Sequence, residues 1–276
     1  RPNQIFFKWY GGFFHRLLQI FSQLFVQDIE SMQLLEGRGI SNVRLSGDTR
    51  VDRVIEISKD KEEISGLKAF VENSFVLLGG SSWAPEEEMM SRFIRRVKKL
   101  NSEKEFKIIL APHDISEAHL MGIQNRFGHQ LIRYSQWNTN QAAKGDYAVL
   151  LIDQIGLLNR LYKYADIALV GGGFGRGLHN VLEPAAYGIP VITGPKYGKF
   201  QEAVELEKLG GVFPVSNYQD FEQKLRRFMV DNKFLSAAGA ASRGYVENSK
   251  GATSLIISHL MENVQHSDVD KWILTG

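Results

Sequence analysis

The chain of 276 residues is 43% hydrophobic and 23% charged, a composition that is typical of globular proteins and excludes disordered and low-complexity chains. Its formal net charge of +2 gives no electrostatic reason to expect nucleic-acid binding. The absence of cysteine excludes disulfides, thiolate nucleophiles and cysteine-ligated zinc. No apolar run in the sequence reaches the roughly 20 residues that a membrane-spanning helix needs.

The first 68 residues lack a regular alternation of strands and helices. Residues 12–25 carry apolar side chains at helical spacing, a short strand is expected near Val26, and glycines between 37 and 47 indicate turns. Residues 51–68 are charged and weakly periodic, which is typical of a linker or a surface helix. The apolar, aromatic opening has no signal-peptide cleavage site, and we expect an N-terminal portion of a longer protein to precede it.

From residue 73 onward, β-rich apolar runs alternate with helical patterns. Strands are predicted at 75–78, 107–110, 147–152, 167–170, 191–193 and 211–215. Helices are predicted at 86–100, 117–127, 155–164, 181–187, 199–209 and 218–230, followed by two more at 233–247 and 250–264. This alternation predicts an α/β fold, a Rossmann-like doubly wound parallel sheet with helices on both faces. Three glutamates open the first of these helices and basic residues close it, and we interpret both groups as complements of the helix dipole.

Ligands of open α/β sheets bind beyond the carboxyl ends of the strands, so the residues that follow each predicted strand are candidate site residues. The richest segment is 171–180, with the sequence GGGFGRGLHN, which matches neither the dinucleotide fingerprint nor the P-loop. Its glycines let backbone N–H groups approach an anion, while Arg176 and His179 add a charge and hydrogen-bond donors. The alternative is a glycine-rich turn that Asn180 caps, with Glu183 completing a capping box. Glu183 is also a candidate to accept hydrogen bonds from a ribose diol.

Polar residues follow several other predicted strands. Ser81 and Ser82 are candidates to bind phosphate or carboxylate oxygens, although an ordinary loop before a helix near Pro85 explains them equally well. His113 follows the next strand, in a position where a lone histidine is more often structural than catalytic. Lys199 follows a later strand and opens a helix, where a charged residue is usually solvated.

The remaining candidates are two loop amides and one basic residue. The amides of Ile155 and Gly156 follow a strand and are candidates to contact the edge of a base. Arg50 lies between two aspartates, and an ion pair is the alternative to a role in the site. The sequence contains neither a cluster with metal-ligand spacing nor a nucleophile elbow. Because the candidates gather at successive strand ends, we expect a nucleotide-linked ligand.

One stretch of the chain closely resembles the signature of a known family. Residues 165–195, ADIALVGGGFGRGLHNVLEPAAYGIPVITGP, are similar to the signature of the bacterial 3-deoxy-D-manno-octulosonic acid (Kdo) transferases, GT-B glycosyltransferases of lipopolysaccharide synthesis. Further motifs follow in the family's order: GDTRVDRV at 47–54, GGSSWAPEEE at 79–88, APHD at 111–114 and IDQIGLLNRLYKYAD at 152–166. The chain departs from the family in having APHD where many members have Pro-Arg-His, and Ser82-Trp83 where many have Thr-His.

The resemblance implies two Rossmann-like domains with the active site in the cleft between them. The donor CMP-Kdo binds mainly to the C-terminal domain, and the acceptor, a lipid A precursor (lipid IVA), binds to the N-terminal domain at the cytoplasmic face of the bacterial inner membrane. No metal ion or other cofactor is expected, and nucleic acid is not an expected partner. Residues 1–52 are then a remnant of the N-terminal domain with the interdomain linker, 53–248 the donor-binding domain, and 249–276 a helix that returns towards the N-terminal domain.

The resemblance also implies a role for each candidate residue. The implied donor-binding residues are Ser81, Ser82 and His113 in the pocket wall, Ile155 and Gly156 near cytosine, Gly175, Arg176, Gly177, His179 and Asn180 at the phosphate, Glu183 at the ribose and Lys199 in the loop that closes on the sugar. Arg50 corresponds to a basic residue close to the donor, in a supporting role.

The family's general-base glutamate belongs to the early N-terminal domain, and nothing in this chain matches it. We therefore expect this chain to bind CMP-Kdo without catalysing transfer. Two alternatives stay open. The first is a GT-B transferase or epimerase that uses a UDP-sugar, and the second is a non-catalytic nucleotide-binding module.

Overall fold

The computed structural model describes residues 4–8, 11–97, 104–137, 147–175 and 177–264. The chain divides into two compact units, a smaller one of residues 1–53 with 249–276 and a larger one of residues 54–248. The strands are β1 (Leu24–Val26), β2 (Val43–Leu45), β3 (Ser74–Ser82), β4 (Glu105–Pro112), β5 (Leu131–Arg133), β6 (Val149–Leu151), β7 (Ile167–Val170), β8 (Val191–Thr193) and β9 (Val212–Pro214). The helices are α1 (Gly12–Ile20), α2 (Ile29–Glu36), α3 (Thr49–Ser58), α4 (Leu67–Val71), α5 (Ala84–Val97), α6 (Glu117–Phe127), α7 (Leu158–Leu161), α8 (Leu182–Ala186), α9 (Gln201–Leu209), α10 (Tyr218–Val230), α11 (Asn232–Asn248) and α12 (Ala252–Val264).

A parallel sheet forms the centre of the larger unit. Within the described residues it has seven strands in the spatial order β5-β6-β4-β3-β7-β8-β9. β3 pairs with β4 on one side and with β7 on the other, where Leu77 lies opposite Ile167. From β3 the sheet extends through β4 and β6 to β5 in one direction, and through β7 and β8 to β9 in the other. The strand order therefore reverses between β3 and β7, and the carboxyl ends at such a reversal are where doubly wound sheets bind ligands.

The central strand β3 is covered on both faces. A Cβ atom built at Gly79 would lie 2.7 Å from the side chain of Met90 in α5, and one built at Gly80 would lie 2.5 Å from the hydroxyl of Tyr162. Because successive residues of a strand face opposite sides of a sheet, α5 covers one face and the segment with Tyr162 covers the other. All four residues of β7 are buried as well. Burial on both faces explains why these strands are continuous apolar runs in the sequence.

Helix α5 packs through a single apolar face. Its buried residues Met90, Phe93, Ile94 and Val97 recur at the spacing of an amphipathic helix. The ring of Phe93 packs edge-on against Phe106 of β4, with ring centres 5.0 Å apart. This face anchors the start of α5 beside the carboxyl end of β3, where the candidate site begins.

The predicted α/β fold with a parallel sheet is confirmed. The strands predicted at 167–170 and 191–193 have the bounds of β7 and β8. Strand β5 was not predicted. The helix predicted at 155–164 is wrong in its first part, since Gly156 has a φ of +90°, a left-handed conformation that a right-handed helix does not contain. The helix α7 begins only at Leu158.

In the smaller unit, β1 and β2 pair in parallel, with Leu24 opposite Val43. The carboxylate of Asp52 accepts hydrogen bonds from the backbone N–H groups of Gly251 and Thr253, each over 2.7 Å, and so caps the start of α12. Burial alone would raise the pKa of Asp52, but these hydrogen bonds outweigh it and lower the pKa. Among the described residues, no helix has both the length and the apolarity that crossing a membrane requires.

Candidate functional site

Three loops meet at the carboxyl edge of the sheet, where the strand order reverses. They follow β3, β4 and β7 and bring together Trp83, His113 and His179, which we call the ring cluster. The ring centre of His113 lies 4.5 Å from that of Trp83 and 4.7 Å from that of His179. The indole Nε1 of Trp83 donates a hydrogen bond to His179 Nε2 over 3.3 Å. Burial, with the neighbouring His113 ring, lowers the pKa of His179.

The segment 171–180, which we call the glycine-rich loop, packs against the backbone of its neighbours. A Cβ atom at Gly171 would lie 2.1 Å from the carbonyl oxygen of Ser81. Gly172 has a φ of +87°, and a Cβ there would lie 2.1 Å from the carbonyl oxygen of Gly177. Only glycine fits at these two positions. A Cβ at Gly175 would meet no atom within 4 Å, so the outer part of the loop faces open space.

A buried carboxylate holds the glycine-rich loop in place. Glu86, in the first turn of α5, is 0% exposed. Its Oε1 accepts a hydrogen bond from the backbone N–H of Gly172 over 2.9 Å, and its Oε2 accepts one from that of Trp83 over 3.1 Å. Burial raises the pKa of Glu86, and the hydrogen bonds from the backbone offset part of this rise. One side chain therefore fixes the start of the loop and the position of Trp83 together.

The neighbouring Glu87 is buried as well and connects α5 to α6. Its two carboxylate oxygens lie 2.8 Å from His119 Nε2 and 2.8 Å from an Arg126 guanidinium nitrogen. The hydroxyl of Ser82 donates to the same carboxylate over 3.4 Å. The sequence was interpreted as placing three glutamates at the start of this helix as complements of its dipole. In the structure Glu86 and Glu87 are instead buried and bind neighbouring segments, because two loops and a second helix cover them.

The capping box that the sequence offered as the alternative at Asn180 is not present. The Asn180 side-chain oxygen accepts a hydrogen bond from the backbone N–H of Leu182 over 3.0 Å, and its amide nitrogen donates to Glu183 Oε1 over 3.1 Å. A capping box would instead join each of the two side chains to the backbone of the other residue. Burial raises the pKa of Glu183, and the hydrogen bond from Asn180 opposes that rise. Asn180 thus orients a half-buried carboxylate next to the glycine-rich loop.

The other predicted site residues differ in how accessible they are. Ser81 is half-buried and has a φ of +49°, whereas Ser82 is fully buried and its hydroxyl is bonded to Glu87. Ile155 is 86% exposed, and Gly156 and Lys199 are exposed too. The assignment of these five residues to a donor site stays a prediction. Ser82 has no access to solvent in this structure.

Two predicted residues are not among the described residues of the larger unit. Arg176 lies outside the described residues, so its proposed phosphate contact stays a prediction. Arg50 belongs to the smaller unit, where its guanidinium lies 2.6 Å from the Asp48 carboxylate. The ion pair that the sequence offered as the alternative is therefore present, and the supporting role of Arg50 stays a prediction.

Sequence reasoning missed three residues of the site. Glu86 stands three residues after Trp83, the spacing at which a helix-opening carboxylate caps a backbone N–H, and this signal was available. Trp83 was noticed only as a departure from a family pattern. Thr193, at the end of β8, is fully buried beneath the loop, and a Cβ at Gly173 would lie 2.7 Å from its hydroxyl oxygen. That oxygen has no hydrogen-bond partner among the described residues, and no sequence pattern signals it.

Comparison with known proteins identifies the relatives of this chain. Residues 146–245 match the family model described as glycosyl transferases group 1. The 3-deoxy-D-manno-octulosonic acid transferase of Aquifex aeolicus is 35% identical over 160 residues, which are 57% of this chain and 42% of that protein. The chain is thus similar to Kdo transferases over part of their length. It spans about half the length of the curated relatives that it matches.

Solved structures agree with this fold. The C-terminal CMP-Kdo binding domain of WaaA from Acinetobacter baumannii is 21% identical, with a TM-score of 0.58, over 71% of this chain and 98% of that domain. The UDP-bound MnaA of Staphylococcus aureus is 13% identical, with a TM-score of 0.61, over 94% of this chain and 67% of that protein. At these identities both likenesses concern the fold alone. The predicted fold, that of the C-terminal half of a GT-B glycosyltransferase, is confirmed.

Proposed function

We propose that this chain is the donor-binding part of an enzyme that transfers Kdo from CMP-Kdo to a lipid A precursor such as lipid IVA. The observation that carries the proposal is the glycine-rich loop, which Glu86 ties down at the reversal of the strand order. This loop presents backbone to open space beside a half-buried Glu183. Similarity to the Aquifex aeolicus Kdo transferase supports CMP-Kdo as the donor.

In this proposal the glycine-rich loop binds the phosphate of CMP. The backbone N–H of Asn180 donates to a phosphate oxygen, and Arg176 adds a positive charge. The N–H groups of Gly175 and Gly177 donate to the carbonyl oxygen of Gly172, so these two glycines let the loop backbone approach the phosphate closely. The Glu183 carboxylate accepts hydrogen bonds from the ribose hydroxyls, while the loop at Ile155 and Gly156 lies at the edge of cytosine. Ser81 and His113 line the pocket, and Lys199 approaches the sugar.

The chemical step breaks the bond between the anomeric carbon of Kdo and the phosphate oxygen of CMP. A hydroxyl of the acceptor attacks that carbon, a general base takes the hydroxyl proton, and the phosphate keeps the electron pair of the broken bond. The donors of this chain stabilise the charge that develops on the leaving phosphate. We assign the general base to a glutamate of the N-terminal domain of the complete enzyme, so this chain alone binds the donor and does not transfer it.

The complete enzyme would work at the cytoplasmic face of the inner membrane, bound peripherally through its N-terminal domain, where its lipid acceptor lies. Within this chain, 1–52 would belong to the N-terminal domain and linker, 53–248 would bind the donor, and 249–276 would return towards the N-terminal domain. Similarity to Kdo transferases supports these assignments.

Replacement of Glu183 tests the proposed ribose contact. Glu183→Gln removes the charge but keeps one acceptor oxygen, and it should weaken CMP binding about tenfold, because hydrogen bonds to a charged group are the stronger ones. Glu247→Gln, the same change at an exposed position of α11, should leave the affinity unchanged. Calorimetric titration with CMP measures both variants. Equal affinities of wild type and Glu183→Gln, or no CMP binding by the wild type, would contradict the proposal.

The pH dependence of the same titration gives a second readout. Burial raises the pKa of Glu183 above its ordinary value of 4.5, and only the ionised carboxylate offers two charged acceptor oxygens, because a protonated carboxyl carries a hydrogen on one of them. The affinity advantage of the wild type over Glu183→Gln should therefore be full above this raised pKa and disappear as the pH falls through it. Protonation of the CMP phosphate and of the histidines affects both proteins alike, so the ratio of the two affinities isolates Glu183.

A further inference from the structure

The hydrogen bond inside the ring cluster determines the protonation of a histidine. An indole nitrogen carries a hydrogen and only donates, so in the contact between Trp83 Nε1 and His179 Nε2, 3.3 Å long, the histidine nitrogen must accept. A ring nitrogen accepts only when it carries no hydrogen. His179 Nε2 is therefore unprotonated, and the single hydrogen of the neutral ring must sit on Nδ1.

We propose that Trp83 is a positioning residue that holds His179 as the neutral tautomer with its hydrogen on Nδ1, so that this nitrogen donates to an anionic oxygen of the bound nucleotide. This inference deepens the proposed function and rests on it for the identity of the ligand. No described residue makes a hydrogen bond with His179 Nδ1, which leaves that donor available to a ligand.

The surroundings of the two residues favour this arrangement. The position of Trp83 is fixed, because its backbone N–H donates to the buried Glu86, which also accepts a hydrogen bond from Gly172. His179 is fixed through its backbone N–H, which donates to the carbonyl oxygen of Gly171 over 3.1 Å. The ring of His113 lies 4.7 Å from that of His179, and two positive charges at that distance would repel each other. A neutral donor thus presents a hydrogen without adding a positive charge beside His113.

Nitrogen-15 NMR of the imidazole rings at pH 8, where an ordinary histidine is neutral, tests the tautomer directly in the free protein. Protonated and unprotonated ring nitrogens resonate in separate regions, and His179→Gln identifies the signals of this residue. We expect the wild type to have a protonated Nδ1 and an unprotonated Nε2. Trp83→Phe, which keeps an aromatic ring beside His113 but removes the N–H group, should shift His179 towards the other tautomer.

Trp137→Phe is the matched control, because it also removes an indole N–H. The Trp137 ring packs against Phe70, with ring centres 5.4 Å apart, and its nitrogen has no hydrogen-bond partner among the described residues. This variant should leave the His179 signals unchanged. A protonated Nε2 in the wild type, or identical His179 signals in wild type and Trp83→Phe, would overturn the proposal. This conclusion does not depend on whether the protein binds CMP.

Titration with CMP then tests the role of the tautomer in binding. Trp83→Phe should weaken CMP binding about three- to tenfold, the loss expected from one neutral hydrogen bond, while Trp137→Phe should bind as the wild type does. An unchanged affinity of Trp83→Phe overturns the ligand contact of His179. If the wild type has the expected tautomer but binds no CMP, the fixed tautomer is supported and the proposed function is refuted, so the two failures are distinguishable.

Discussion

At the scale of single residues, the central feature is the Glu86 carboxylate, which connects two segments that lie far apart in the sequence. Glu86 accepts backbone hydrogen bonds from Trp83, three residues before it, and from Gly172, 86 residues after it. The first contact follows from local helix-capping rules, whereas the second depends on the pairing of β3 with β7. The sequence could therefore predict that the glycine-rich loop belongs to the site, but not which side chain holds it.

Replacement of Glu86 by glutamine tests this tether. Glutamine has one acceptor oxygen where the carboxylate has two, so one buried backbone N–H loses its partner and meets an amide N–H₂ group instead. We expect a loss of about 1–3 kcal/mol in the free energy of unfolding. Urea denaturation of the intact chain measures this loss.

The neighbouring Glu88 offers a matched control for that experiment. Its side chain is 58% exposed and lies 3.3 Å from the Arg126 guanidinium, an ion pair of the kind that contributes little to stability. Glu88→Gln should change the free energy of unfolding by less than about 0.5 kcal/mol. Equal stabilities of the Glu86→Gln and Glu88→Gln variants would show that the Glu86 tether is not needed to hold the loop.

At the scale of elements, the sequence predicted uninterrupted periodic segments well and an interrupted one poorly. The helices predicted at 117–127 and 218–230 have the bounds of α6 and α10, because each carries a full apolar stripe over three turns or more. The segment at 155–164 has a helical pattern of apolar residues, but the left-handed conformation of Gly156 makes its first part a loop. Backbone conformation at one glycine is decided by the fold around it, and propensity alone does not reveal it.

The cap of α12 gives a prediction at this scale. Asp52 accepts hydrogen bonds from Gly251 and Thr253, and Asp52→Ala should loosen the first turn of α12 by about 1 kcal/mol. Hydrogen exchange measures this as faster exchange of those two amides, with the amides of α10 as the internal reference. Unchanged protection at Gly251 and Thr253 in the Asp52→Ala variant would contradict the cap.

At the scale of the whole molecule, the chain consists of two compact units, and the ring cluster, Glu86 and Glu183 belong to the larger one, 54–248. The similarity to Kdo transferases covers about half the length of those relatives. Fold class and the approximate location of the site were predictable from the sequence, because alternating strands and helices define a doubly wound sheet and such sheets bind ligands at one edge. His113 and His179 were predicted as site residues, but their contacts with Trp83 were not, because those contacts depend on how the side chains of three loops pack.

Calorimetric titration of this chain with CMP, with UMP and UDP as controls, tests the proposed donor site most directly. We expect CMP to bind in preference to both uridine nucleotides, because the proposed donor is CMP-Kdo. Preferential binding of UDP would contradict this expectation and favour a transferase or epimerase that uses a UDP-sugar. The absence of binding by all three nucleotides would contradict the claim that this chain carries the donor site.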